Sequence, residues 1–142
     1  MSEVNAQESV QVIVFNIDKE EYGANILKVT TIERVLPVAR VPRTPPFVKG
    51  VINLRGDIIP VLSLRQRLGF SDIEETDDTR IIIVNTGEVV AGFVVDAVTE
   101  VLQIDASNIE RNSNVSSEYV SGLGKVGSRI ITMLNLERLT TI

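Results

Sequence analysis

Val51-Ile52-Asn53-Leu54, then Arg55-Gly56-Asp57, then Ile58-Ile59-Pro60-Val61-Leu62-Ser63-Leu64 places two runs of β-branched and aliphatic residues on either side of a glycine-centred break. Runs of this kind predict two short strands, and the break predicts a tight turn around Gly56. Just outside the pair, Phe47-Val48-x-Gly50 leads in, and Arg65–Gly69 (RQRLG) predicts a helical turn stopped at Gly69. The same arrangement returns 72 residues later, where Tyr119-Val120-x-Gly122-Leu123 is followed by Ile130-Ile131-x-Met133-Leu134-x-Leu136.

A second block repeats as well. Gly23-x-x-Ile26-x-x-Val29-x-x-Ile32-x-x-Val35 superposes on Gly92-x-x-Val95-x-x-Val98-x-x-Val101-x-x-Ile104 at an offset of 69. A spacing of three suits a helical turn or an irregular extended stretch, and β-branching weakens a long helix. The repeat specifies two similar lobes of about five short strands, each too small to be stable alone. They are expected to share an apolar seam made by the two every-third segments, with a binding groove where they meet.

Elsewhere, Val10–Ile17, Arg80–Asn85 and Val89–Asp96 read as strands, with turns at Asp18–Glu21 and Thr86-Gly87. Pro37, Pro42, Pro45 and Pro46 mark a connecting loop, and Asp72–Asp78 an acidic surface loop. Asp105–Glu118 reads as a polar loop with one helical turn. A hairpin around Gly127-Ser128 and a short closing helix at Leu136–Leu139 complete the chain.

Composition narrows function by what is missing. The 142 residues include no Cys, no His and no Trp, at a net charge of −5. Disulfides, thiolate nucleophiles, histidine general bases and thiolate or imidazole metal sites are thereby excluded. The acidic balance disfavours a general nucleic-acid binder. No apolar run approaches the roughly 18–20 residues that span a bilayer. MSEVNAQES lacks the order of a secretory signal, so residues 1–9 are expected to be a disordered tail on a cytoplasmic protein.

The stretch Phe47-Val48-Lys49-Gly50-Val51-Ile52-Asn53-Leu54-Arg55-Gly56-Asp57-Ile58-Ile59-Pro60-Val61-Leu62 resembles the central signature of CheW-type chemotaxis coupling proteins. Gly92-Phe93-Val94-Val95-Asp96 with Val101-Leu102, and Gly122-Leu123 through Leu136, are similar to later blocks of that family. The likeness runs from Val10 to Leu139. It implies a mainly β fold, two five-stranded SH3-like β-barrel lobes packed side by side with short helical segments. The expected layout is one domain over residues 10–142, with lobes at 10–70 and 80–139.

The resemblance also implies an adaptor with two partners: the cytoplasmic tip of a chemoreceptor and the regulatory domain of the histidine kinase CheA. It implies no enzymatic activity, no cofactor and no membrane insertion, with recruitment to membrane-bound receptor arrays. Carried over, the receptor groove comprises Ile13, Ile26, Val29 and Val98, with Arg55 from the Asn-Leu-Arg-Gly block; the residues facing the kinase are not identified. Position 31, often acidic in the family, is Thr31 here, which puts receptor preference in question. Ser63 and Asn135 stand where many members carry Asp or Asn, and both can cap a turn. The loop at Glu110–Val115 reads as abbreviated.

Plainer readings compete. Any one of Ile26, Val29 and Val98 could be core, and Arg55 a solvated turn residue. Arg34, Arg40, Arg43, Lys49, Arg55, Arg65 and Arg67 stand against only Asp57 between residues 34 and 67. They form either a basic face that steers an acidic partner or a scatter of surface charges. Asp96 and Glu100 lack the setting of a catalytic carboxylate pair. A barrel binding oligonucleotide or oligosaccharide would need more aromatic platforms than four Phe and two Tyr supply.

Overall fold

Val12, Ile13, Val14 and Phe15 are consecutive and all buried, so the strand they form is covered on both faces. The same holds for Ile81–Val84. Continuous apolar runs of this kind belong to strands sandwiched between two layers, whereas strict alternation belongs to strands with one wet face. The structure, a computed structural model, describes residues 8–111 and 118–141.

The order is β1 (Ser9–Ile17), β2 (Glu20–Asn25), a 3-10 turn (Ile26–Lys28), β3 (Val29–Arg34), β4 (Val48–Leu54), β5 (Asp57–Ser63) and α1 (Leu64–Arg67). Then come β6 (Arg80–Asn85), β7 (Val90–Val95), β8 (Ala97–Asp105), a 3-10 turn (Ala106–Asn108), β9 (Ile109–Glu110), β10 (Val120–Val126), β11 (Arg129–Leu134) and α2 (Leu136–Leu139). Ser9 opens β1 and the carbonyl of Glu8 accepts from Ala106 N, so the expected tail is shorter at its inner end; residues 1–7 lie outside the described residues. Of the expected 105–118 loop, the helical turn is present and β9 is additional, while 112–117, and with them most of the Glu110–Val115 stretch, lie outside the described residues.

Two sheets make two lobes. One runs β8-β1-β2-β11-β10-β9 and the other β3-β6-β7-β5-β4. The division expected at 10–70 and 80–139 is not the division between the sheets. The middle lobe is the contiguous stretch β3–β7, and the terminal lobe joins β1–β2 to β8–β11. Matched by the repeat, β3, β6, β7, β5 and β4 correspond in order to β8, β1, β2, β11 and β10, so each opening hairpin sits in the sheet of the other repeat. Parallel contacts β5–β7 and β2–β11 complete each sheet. Parallel neighbours need long connections, which no local sequence pattern announces.

Three apolar layers follow. Val12, Val14, Ile104, Ile131 and Met133 fill the terminal lobe, and Ile52, Ile59, Val61, Ile81 and Ile83 fill the middle lobe. Between the lobes lies a larger layer including Phe15, Ile17, Tyr22, Leu62, Ile82, Phe93, Leu134 and Leu139. Alternation along β6 sends Ile81 and Ile83 into the lobe and Ile82 and Val84 into the shared layer.

The every-third pattern has a mechanical cause. The β3–β6 ladder slips between Val29 and Thr31, and the β1–β8 ladder slips so that Phe15 faces Val98 while Val14 faces Glu100. The extra residues are Thr30 and Thr99, which are equivalent in the repeat. One inserted residue lets positions three apart share a face. Val29 with Ile32, and Val98 with Val101, are therefore neighbours on one side, while Ile104 turns into the terminal lobe.

The outer edge of β4 is closed by a two-way backbone bridge between Ala39 and Val51, each N–H donating to the other's carbonyl at 2.9 Å. Beside it Gly50 has φ +143, and a Cβ there would lie 2.2 Å from the carbonyl oxygen of Ala39. Gly50→Ala is expected to break this bridge and destabilise the protein by about 2–4 kcal/mol. The shift in urea midpoint measures it, and an unchanged midpoint would show that the edge can relax.

Candidate functional site

Among the described residues, no three His, Cys, Asp or Glu side chains group as a metal site. No helix is long and apolar enough to cross a membrane. A cleft of about 700 Å³ is lined by Val35, Pro37, Arg40, Lys49, Asp72 and Glu75, but by none of Ile13, Ile26, Val29 or Val98.

The edge strands β3 and β8 hold most of the expected site. Val29 and Val98 are half-buried and pack on the shared layer. Ile26 is half-buried in the 3-10 turn before β3. Ile13 is only 3% exposed, paired across to Ala24 on one side and Val101 on the other, so it lies beside Val101 as a core residue. The register adds two residues that the carried-over set left out: Ile32, 39% exposed, and Val101, 52% exposed. Both stood in the every-third pattern; only the bulges show that they share a face with the valines.

Arg55 stands apart. It occupies the β4–β5 turn at φ 54, with its side chain 71% exposed and 3.8 Å from Glu33. Glu33 pairs across to Ile81 and so belongs to the face of β3 opposite Ile32. Thr31 shares that opposite face, and its hydroxyl is buried without a hydrogen-bond partner among the described residues.

The basic stretch does not form one face. Arg65 turns inward and meets Asp96 through Nε and Nη2 at 3.0 Å, Asp18 at 3.0 Å and the carbonyl of Ser71 at 2.8 Å. Arg67 lies over the rings of Phe47 and Tyr119, at 4.2 and 5.0 Å from their centroids. Lys49 pairs with Asp72. Arg34, Arg40 and Arg43 remain without an ion pair among the described residues.

The connections between lobes are clasped in a charge-reversed way. Asp96, between β7 and β8, is held by Arg65 of α1; Lys28, just before β3, is held by Glu137 of α2. Arg65 and Glu137 are equivalent in the repeat. Ser63 and Asn135 cap the two short helices, accepting from Gln66 N and Arg138 N at 3.2 Å. This is the capping role expected of them. The hydrogen bond from Lys28 holds the Glu137 carboxyl below its ordinary range, and Arg129 does the same for Glu21. Burial pushes Asp72 up, but hydrogen bonds from Ser63, Lys49 and Gln66 outweigh it and leave its carboxyl lowered.

Two β lobes fused through a common core, each with apolar side chains exposed on an edge strand, define a double-lobed β module. A family model of the CheW-like domain matches residues 11–142, and the chain belongs to that family. It is 38% identical to the chemotaxis protein CheW of Klebsiella aerogenes, an alignment covering 89% of this chain and 79% of that one. It is 35% identical to CheW of Helicobacter pylori, covering 94% and 82%. The solved structure of the scaffolding protein TtCheW from Thermoanaerobacter tengcongensis superposes with a TM-score of 0.89 at 36% identity, over 95% and 94% of the two chains.

The two clasps should differ in weight. Arg65 is nearly enclosed, its side chain 11% exposed, so Arg65→Ala leaves the Asp96 carboxylate with the Asp18 backbone N–H but no cation, and is expected to cost about 2–4 kcal/mol in chemical denaturation. Lys28 and Glu137 are more exposed, and Lys28→Ala should cost no more than about 1 kcal/mol. Equal losses would contradict the assignment. Because the folded pKa values of Glu21 and Glu137 are lowered, their stabilisation is complete above the ordinary value of 4.5 and is lost as pH falls through the folded values. A double Glu21→Gln, Glu137→Gln variant should therefore show a shallower loss of stability below about pH 4.5, read from melting curves against pH.

Proposed function

We propose that this chain is a non-enzymatic adaptor that couples methyl-accepting chemoreceptors to the histidine kinase CheA in chemotaxis signalling. It works in the cytoplasm and is drawn to membrane-bound receptor arrays through its partners. The observation that carries this reading is the apolar strip of Val29, Ile32, Val98 and Val101 on repeat-equivalent edge strands, in a chain of the CheW-like family. Relatives bearing the name chemotaxis protein CheW support it.

Coupling needs two contacts that can be held at once. The receptor tip, a helical hairpin, lays its apolar side on the strip, with Ile26 at one end, Arg55 at the rim and Ile13 in the core beside Val101. Helix-in-groove recognition of this sort draws affinity from a few apolar anchors. The regulatory domain of CheA takes a separate surface. No cofactor or metal enters the mechanism, and the chain has neither the His nor the Cys that phosphotransfer or covalent catalysis would draw on.

Ile32→Asp and Val101→Asp test the two-surface scheme with little risk to folding, since both side chains are already partly wet. Each is expected to weaken a receptor cytoplasmic fragment by about tenfold or more and to change CheA affinity less than roughly twofold. Val29→Asp and Val98→Asp should show the same selectivity, with some loss of melting temperature because both valines touch the shared core. Equal weakening of receptor and kinase would refute separate surfaces.

A further inference from the structure

The two halves of the apolar strip end differently. On β3 the next residue on the face of Ile32 is Arg34, which pairs directly across the ladder with Arg80. On β8 the equivalent position beyond Val101 is Gln103, which pairs with Gln11. Repeat-equivalent sites thus hold an Arg–Arg pair in one lobe and a Gln–Gln pair in the other. Like charges placed opposite one another in an antiparallel ladder oppose folding.

No carboxylate of the described residues relieves this pair. Arg34 is exposed, and its side chain has no hydrogen bond or ion pair among the described residues. Arg80 donates only to the backbone carbonyls of Asp77 and Thr79, both at 2.8 Å. Asp96, which follows Arg80's β7 partner Val95, is taken by Arg65. Gln103, by contrast, is engaged by Ser9 at 2.6 Å.

We infer that Arg34 and Arg80 receive a carboxylate of the helix that occupies the strip, and so set the direction in which that helix lies. The inference rests on the receptor reading above and adds the chemistry of the partner. Two strand residues span about 6.7 Å and one helical turn about 5.4 Å. A helix running along β3 with an apolar anchor on Ile32 therefore brings a side chain about one turn away to Arg34. The partner should carry Asp or Glu three or four residues from an apolar anchor. Reversed, the helix would set that acid against Gln103, which bears no charge to neutralise it.

The double variant Arg34→Gln, Arg80→Gln copies the pair of the other lobe. It is expected to fold with an unchanged or higher melting temperature and to bind CheA as the parent does. Its affinity for a receptor cytoplasmic fragment should fall about tenfold at low salt, with a flatter salt dependence. Arg34→Glu should fall further, and exchanging the receptor's tip carboxylates for Lys one at a time should restore its binding at one position. If the parent binds the fragment and the arginine variants bind equally well, or if no exchange restores Arg34→Glu, the inference is overturned while the receptor reading stands. If the parent itself does not bind the fragment, the receptor reading fails and the inference with it.

Discussion

Everything in this molecule depends on the apolar layer between the lobes. Neither sheet has enough interior to stand alone, since a lobe of five or six short strands encloses only one small cluster of aliphatic side chains. Phe15, Phe93, Leu62 and Leu139 are each no more than 2% exposed, and each comes from a different part of the chain. Burying side chains of this size is worth about 1.5–3 kcal/mol apiece before ordering costs. The layer thus joins segments that the chain order keeps apart, with β3 and β8 at the sheet edges.

The exchanged hairpins make that joining hard to undo. Each repeat lends its first two strands to the other's sheet, so neither repeat has a complete sheet of its own. The connections where the chain passes between lobes are pinned by Arg65 with Asp96 and by Glu137 with Lys28. The helix residues Arg65 and Glu137 are equivalent and opposite in charge, while their partners Asp96 and Lys28 sit one position out of step in the repeat, so each pair is attractive. Arg67 has no such counterpart, because the equivalent position is the buried Leu139; its guanidinium instead bridges Phe47 and Tyr119, the aromatic residues that open the two repeated blocks.

Among the described residues of this protein, polar and apolar side chains divide cleanly between two tasks. Its polar networks are spent on lobe connections, caps and turns. Its exposed apolar residues on β3 and β8 recur at equivalent positions, and the charge beside them does not. The repeat places Val29 and Ile32 in one lobe at positions equivalent to Val98 and Val101 in the other, and the equivalence breaks at Arg34, which matches Gln103.

The turn at Gly56, the short helix after Ser63 and the strand of Val10–Ile17 were legible in the residues, because turn chemistry, capping and β-branched runs act over a few positions. The repeat was legible too, and so was the family signature around Asn53-Leu54-Arg55-Gly56. The lobe boundaries were not: pairing β2 with β11 and β5 with β7 is a matter of long-range fit between equally apolar strands, which no local pattern distinguishes. Ile32 and Val101 appeared in the sequence as members of a three-residue rhythm, and only the bulges at Thr30 and Thr99 turned that rhythm into a shared face. The amino-acid order by itself determined most of the strands, though not β3, β8 and β9; it also determined that the chain comes in two similar sets and that it lacks His and Cys. The tertiary structure alone decided which set each hairpin joins and which arginines are paired, since an ion pair such as Arg65 with Asp96 depends on residues brought together only after the sheets have formed.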